Sequence, residues 1–144
     1  MSFEEWQATV PECIKRDKLW EFVAYQKALW LYDLAWDDCD ELMKDIRGRG
    51  NADQLNRSAG SICANIEEGY GRGFGKEYDY FTRVALGSAR ECRGWYLRSR
   101  RLLSPEVIKH RMGLCSEIIA SLVNRLQESR KGANGRGLKA KAEG

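Results

Sequence analysis

Proline is almost absent. Only Pro11 and Pro105 occur, so no residue of that kind breaks a helix anywhere between them. Long apolar runs are missing too: nothing approaches the roughly 18 consecutive apolar residues that a membrane-crossing helix needs. Histidine occurs once, at His110, and the cysteines Cys13, Cys39, Cys63, Cys92 and Cys115 form no C-x-x-C pair. The spacings that hold zinc are therefore lacking, and neither a metal nor a cofactor is expected. The N-terminus, MSFEEWQATV, is acidic and has no apolar h-region. Together with an odd cysteine count, it predicts a cytoplasmic chain with reduced, mostly buried thiols.

What is present suits a helical domain. Of the 144 residues, 43% are hydrophobic and 31% charged, enough for one core with a wet outer surface. Apolar residues recur at helical spacing in four segments. The first helix is expected over about Leu19–Ile46, capped by Asp17 and stopped at Gly48 and Gly50. The second is expected over about Ala52–Tyr70, capped by Asn51, and the third over about Lys76–Leu103. The fourth begins with Ser104 as cap and Pro105 as first residue and ends near Lys131. The resulting division is an N-terminal extension over 1–18, a helical domain over 19–131 and a basic tail over 132–144, read as disordered from its Gly, Lys and Ala content. Residues 1–18 allow one short helical turn, with Ser2 and Glu5 spaced as a capping box.

The third helix carries the clearest seam. Tyr78, Phe81, Ala85, Ser88, Cys92, Trp95, Ser99 and Leu102 recur in steps of three and four. Ile108, Met112, Cys115, Ile119, Leu122 and Leu126 do the same in the fourth helix, and Leu55, Ala59, Ile62 and Ile66 in the second. Short connections make sequential long helices antiparallel, so an all-α, up-and-down four-helix bundle is the simplest architecture. The first helix is apolar over most of its circumference. Ala24, Ala28, Leu31, Ala35 and Leu42 form one stripe, Phe22, Tyr25, Leu29, Tyr32 and Trp36 a second, and Trp20, Val23, Trp30 and Leu34 a third. Such a helix must be buried nearly all round. The second stripe is therefore expected to meet another subunit; the other way to cover the helix is a fold-back of residues 1–18 through Phe3, Trp6 and Val10.

Two polar patterns are candidate sites. Gln54, Arg57, Ser61, Asn65, Glu68 and Arg72 share one face of the second helix, with Glu91 of the third as the expected partner of Arg57. A network that fixes helix register is favoured over a ligand site, since no nucleophile–base pair lies near it. The third helix presents an outward basic face of Lys76, Arg83, Arg90, Arg93, Arg98 and Arg101, diluted by Asp79 and extended by Arg130 and Lys131 at the tail. A basic stripe of this kind is the electrostatic footprint of a phosphate backbone, although any solvated helix face can also be charged. From Arg130 onward the chain holds five basic residues and one acid, which leaves residues 1–129 at −1. His110 has no titrating partner at fixed spacing. The glycines of GYGRGFG (69–75) follow a helix and lack G-K-[ST], so they read as a turn rather than a phosphate loop.

The run Gln54–Arg72, QLNRSAGSICANIEEGYGR, resembles the signature of the four-helix bundle proteins first recognised as products of 23S ribosomal RNA intervening sequences. The matching positions are Gln54, Arg57, Ser61, Ile62, Asn65, Ile66, Glu68, Gly69, Tyr70 and Arg72. Phe81, Ala85, Leu86, Gly87, Ser88 and Glu91 resemble the family's next helix, and Tyr25, Gln26, Lys27 and Ala28 its first. Ser58 and Glu67 stand where the family usually has alanine, Cys63 where proline is common, and Cys92 where leucine is common. The resemblance implies a ring-like homopentamer without enzyme activity. It also points to the related accessory variability determinant proteins of diversity-generating retroelements, which are implied to bind RNA and a reverse transcriptase through a basic surface. The leading expectation is thus a non-enzymatic oligomeric bundle that binds structured RNA. A protein-interaction scaffold is the second, and an enzyme, for which the sequence offers no constellation, is the third.

Overall fold

The computed structural model describes the backbone of residues 1–72 and 75–143 and the side chains of residues 1–72 and 75–132. Gly73 and Phe74, in the expected glycine turn, lie outside the described residues, as do the side chains of the basic tail beyond Gly132. Among the described residues the chain is all-helical. Two short helices, α1 (Phe3–Thr9) and α2 (Glu12–Lys15), and a 3-10 turn (Lys18–Glu21) precede four long ones. These are α3 (Val23–Leu42), α4 (Gly48–Gly71), α5 (Lys76–Arg98) and α6 (Pro105–Glu143). α3 packs on α4 and α6, and α5 packs on the same two, so a single core lies between the four. Leu31, Leu42, Leu55, Ile62, Cys92, Tyr96, Ile118 and Leu122 fill it. No helix among the described residues is long and apolar enough to cross a membrane.

The boundaries differ from the sequence expectation for identifiable reasons. Asp17 does act as a cap, but of the 3-10 turn, accepting from the Leu19 N–H at 2.9 Å. Phe22 is extended, and α3 proper begins only at Val23. Gly48 and Gly50 do not end a helix; they open α4. Gly48 is needed there for space. A Cβ would collide with the Leu42 carbonyl and sit 2.8 Å from Leu102 Cδ1. Asn51 does not cap α4. Its amide instead donates to the Arg98 carbonyl at 3.3 Å and to Ser99 Oγ at 3.2 Å, tying the start of α4 to the end of α5. α5 stops at Arg98, and the chain turns with Leu102 and Leu103 both donating to the Ser99 carbonyl. Ser104 caps α6 as expected, accepting from the Val107 N–H. α6 itself continues past Lys131 to Glu143.

The apolar circumference of α3 is covered mostly from within. α1, opened by the Ser2–Glu5 capping box, lies against it. Trp6 is 6% exposed and donates its indole N–H to Asp33 at 2.7 Å, while Phe3 packs on Trp30 at 5.1 Å between ring centroids. The stripe assigned to another subunit is largely spent inside the chain. Tyr25 is buried and donates to Glu67 of α4 at 2.6 Å. Tyr32 lies against Gly60 of α4, where a Cβ would stand 3.3 Å from its ring. Phe22 and Leu29 are half-buried, and Phe22 carries the Arg125 guanidinium over its ring at 4.3 Å. Only Trp36, 58% exposed, stays on the surface.

Among the described residues one charged side chain, Asp38, is buried in the core. Asp38 accepts from the Tyr96 hydroxyl at 2.7 Å and from Arg111 Nε at 2.8 Å and a second guanidinium nitrogen at 3.2 Å, joining α3, α5 and α6. Asp38→Ala is expected to cost about 3–5 kcal/mol of stability, because it leaves a largely buried guanidinium unpaired; chemical denaturation checks this. A second expectation concerns alkaline pH. Burial pushes the Cys39 thiol up to about 11 and the Cys63 thiol up to about 12, against an ordinary value of 9.0. Folded-state values raised in this way give stability that is complete below about 9 and is lost as pH rises towards those values. The melting temperature should therefore fall between pH 8.5 and 11, and the Cys39→Ala/Cys63→Ala double variant should lose less over the same range.

Candidate nucleic-acid interface

The basic face is built on α5. Lys76, Arg83 and Arg90 lie seven residues apart, a spacing that drifts only about 20° per step on a helix, and all three are exposed. Arg98 continues the row and stacks on Trp95, 4.7 Å from the ring centroid. Arg101 is exposed in the turn that follows, and Arg130 and Lys131 are exposed on α6. Arg93 departs from the row: it is half-buried and donates to Ser116 of α6 at 3.2 Å. The same stripe holds the exposed Tyr80 and Leu97 and the open Gly87, above which nothing stands within 4 Å of a Cβ position.

What happens to the acids on α5 sets the charge of this face. Asp79, expected to dilute the row, turns towards α6 and accepts from the Ser129 hydroxyl at 2.7 Å. Glu91 pairs with Arg57 of α4, and Glu77 lies 3.8 Å from Arg72. Each acid is thus drawn to a neighbouring helix or to the turn before α5. Among the described residues none of Lys76, Arg83, Arg90, Arg98 and Arg101 forms an ion pair.

The polar stripe of α4 breaks into three clusters. Arg57 binds Gln54 at 2.8 Å as well as Glu91, as expected, but this group is exposed. Ser61 meets Ser88 of α5 at 2.8 Å, and the Asn65 amide donates back to the Ser61 carbonyl and hydroxyl. Arg72 pairs with Glu68 at 2.9 Å. The Ser61–Ser88 contact lies within the α4–α5 interface, and the Arg57–Glu91 pair bridges the same two helices at its exposed edge. Nothing in the stripe forms a ligand cage, and no group of three or more metal-ligating side chains occurs among the described residues. His110 is exposed, shares a 2.8 Å contact with Arg111 and packs edge-on against Trp30. Partial burial and the Arg111 charge lower its pKa.

The Asp38–Tyr96–Arg111 cluster is the polar site that sequence reasoning missed. Its signal was a gap: the buried stripe Leu31, Ala35, Leu42 has Asp38 at the intervening heptad position. For the exposed Arg57–Glu91 pair, Arg57→Ala is expected to cost less than about 1 kcal/mol, in contrast to Asp38→Ala. A comparison of the two denaturation midpoints distinguishes surface pairing from core register.

Among curated proteins none matches the sequence. The fold is similar to the crystal structure of a protein of unknown function from the S23 ribosomal protein family of Bacteroides thetaiotaomicron. The two share 21% identity and a TM-score of 0.67 over 72% of this chain and 97% of that one. The family model described as 23S rRNA-intervening sequence protein matches residues 21–124, which span α3, α4, α5 and the first half of α6. The chain belongs to the 23S rRNA-intervening sequence protein family.

Proposed function

We propose that the protein is a non-enzymatic, up-and-down four-helix bundle that self-associates, with a ring-like homopentamer as the expected assembly, and binds structured RNA in the cytoplasm through the outer face of α5. The reading rests on one observation, the exposed cationic row Lys76, Arg83, Arg90, Arg98 and Arg101, which has no carboxylate partners among the described residues. Cations that are not neutralised within the chain exchange their counterions for phosphates, which drives affinity for nucleic acid. A ring would repeat the row around the particle and add avidity. Self-association is supported by Trp36, Met43 and Ile46, which are 58%, 55% and 79% exposed at one end of α3 and in the turn after it. The second reading is a protein-interaction scaffold, such as a reverse-transcriptase accessory protein. It is favoured by Tyr80 and Leu97, apolar and exposed within the same row.

The test is a salt titration of binding to a structured RNA. The Arg83→Gln/Arg90→Gln/Arg98→Gln variant is expected to bind at least about tenfold more weakly at low salt, with the salt slope reduced by up to about one per arginine. An unchanged affinity and slope would remove the α5 face from the interface. Trp36→Asp is expected to lower the native mass measured by light scattering, and a variant of parental mass would contradict the Trp36 contact.

A further inference from the structure

At the end of the helical bundle away from the α3–α4 turn, a crevice of about 290 Å³ opens between the 3-10 turn, the last turns of α4, the first turns of α5 and the middle of α6 around Leu122 and Arg125. It lies apart from the cationic row. The buried side chains of Leu19, Ile66 and Leu122 line its apolar floor, and Phe22, Tyr70 and Tyr78 form aromatic walls. Its two cations are Lys18 and Arg125, and neither forms an ion pair among the described residues. Arg125 is half-buried, and its guanidinium is held over the Phe22 ring at 4.3 Å. A guanidinium stacked by its flat face keeps its N–H edge free, and that edge is the part that recognises a carboxylate or phosphate in bidentate fashion. Tyr78 and Arg125 line the same crevice; burial raises the pKa of the Tyr78 hydroxyl, and the charge of Arg125 opposes the rise.

We infer that this crevice binds a planar aromatic ring carrying a single negative charge. The apolar floor and aromatic walls take the ring, and the free edge of Arg125 takes the anion. A half-buried guanidinium with nothing but a ring beneath it gains most from a partner that brings the missing charge. Glu21, which also lines the crevice, leaves one net positive charge and so selects a monoanion over a polyanion. Two sources share this chemistry: a free aromatic carboxylic acid and an unpaired nucleotide with its phosphodiester. The inference is independent of the α5 row.

The test is titration of the isotopically labelled full chain with indole-3-acetate, followed by amide NMR. The controls are acetate, which lacks the ring, and tryptophol, its neutral counterpart. Saturable shifts at Leu19, Tyr78 and Leu122 are expected, with both controls at least about tenfold weaker. Arg125→Met keeps an apolar stem on Phe22 and removes the charge; it is expected to reduce indole-3-acetate binding to the level of tryptophol at an unchanged melting temperature. The Arg83→Gln/Arg90→Gln/Arg98→Gln variant should bind indole-3-acetate as the parent does. Competition by a short single-stranded RNA identifies the nucleotide as the source, and its absence identifies a free acid. Equal shifts with acetate, or full affinity in Arg125→Met, would overturn the inference.

Discussion

The burial of α3 governs the rest of the molecule. Apolar residues occupy most of its circumference, and a helix of that kind has no face to give to water. Its smallest stripe, Ala24, Ala28, Leu31 and Ala35, is at most 1% exposed and lets α4 and α6 approach closely. The aromatic stripe beside it is absorbed by α4, where Tyr25 reaches Glu67 and Tyr32 lies on Gly60. The tryptophan stripe is closed by α1 through Phe3 and Trp6. What none of these elements covers is Val23 at the start of α3 and the opposite end with Trp36, Met43 and Ile46. The apolar surface available to a second copy is therefore the remainder of an internal packing problem, and it is smaller than the sequence pattern suggests.

Electrostatics divide the structure into two regimes. Inside, among the described residues, a single carboxylate, Asp38, is tolerated because Tyr96 and Arg111 satisfy both of its oxygens, and the three residues join α3, α5 and α6. Outside, charges act by where their partners are. The net charge of +3 is modest, yet α5 shows a cationic face because Asp79 and Glu91 are drawn to α6 and α4 and Glu77 towards Arg72. Pairing of this sort contributes little to stability on an exposed surface. Its effect is to sort the charges and leave the cations of the α5 row without carboxylate partners among the described residues.

Glycine plays two separate parts at the helix junctions. At Gly48 it permits the α4 backbone to approach the end of α3 and the Leu102 side chain, contacts that any Cβ would prevent. At Gly75 it supplies the backbone with φ of 91° that ends the turn before α5. Both glycines read in sequence as punctuation. Only the second serves in that way, because a close approach and a turn leave the same residue type behind.

The sequence by itself determined the helical class, the seams of the long helices, the Ser104–Pro105 start of α6, the capping box of α1 and the Arg57–Glu91 pair. All but the last depend on contacts three or four residues apart or on a strong preference at one position, so they are written locally; the Arg57–Glu91 pair spans 34 positions and follows from α4 and α5 being antiparallel neighbours. Tertiary structure decided the remainder: which stripe of α3 meets which helix, the use of Gly48 and Asn51 across a junction, the burial of Asp38, the turning aside of the α5 acids, and the crevice around Arg125. Each of these joins residues tens of positions apart. Periodicity gives the faces of a helix but not the neighbour opposite each face, because that choice depends on how all the helices pack at once.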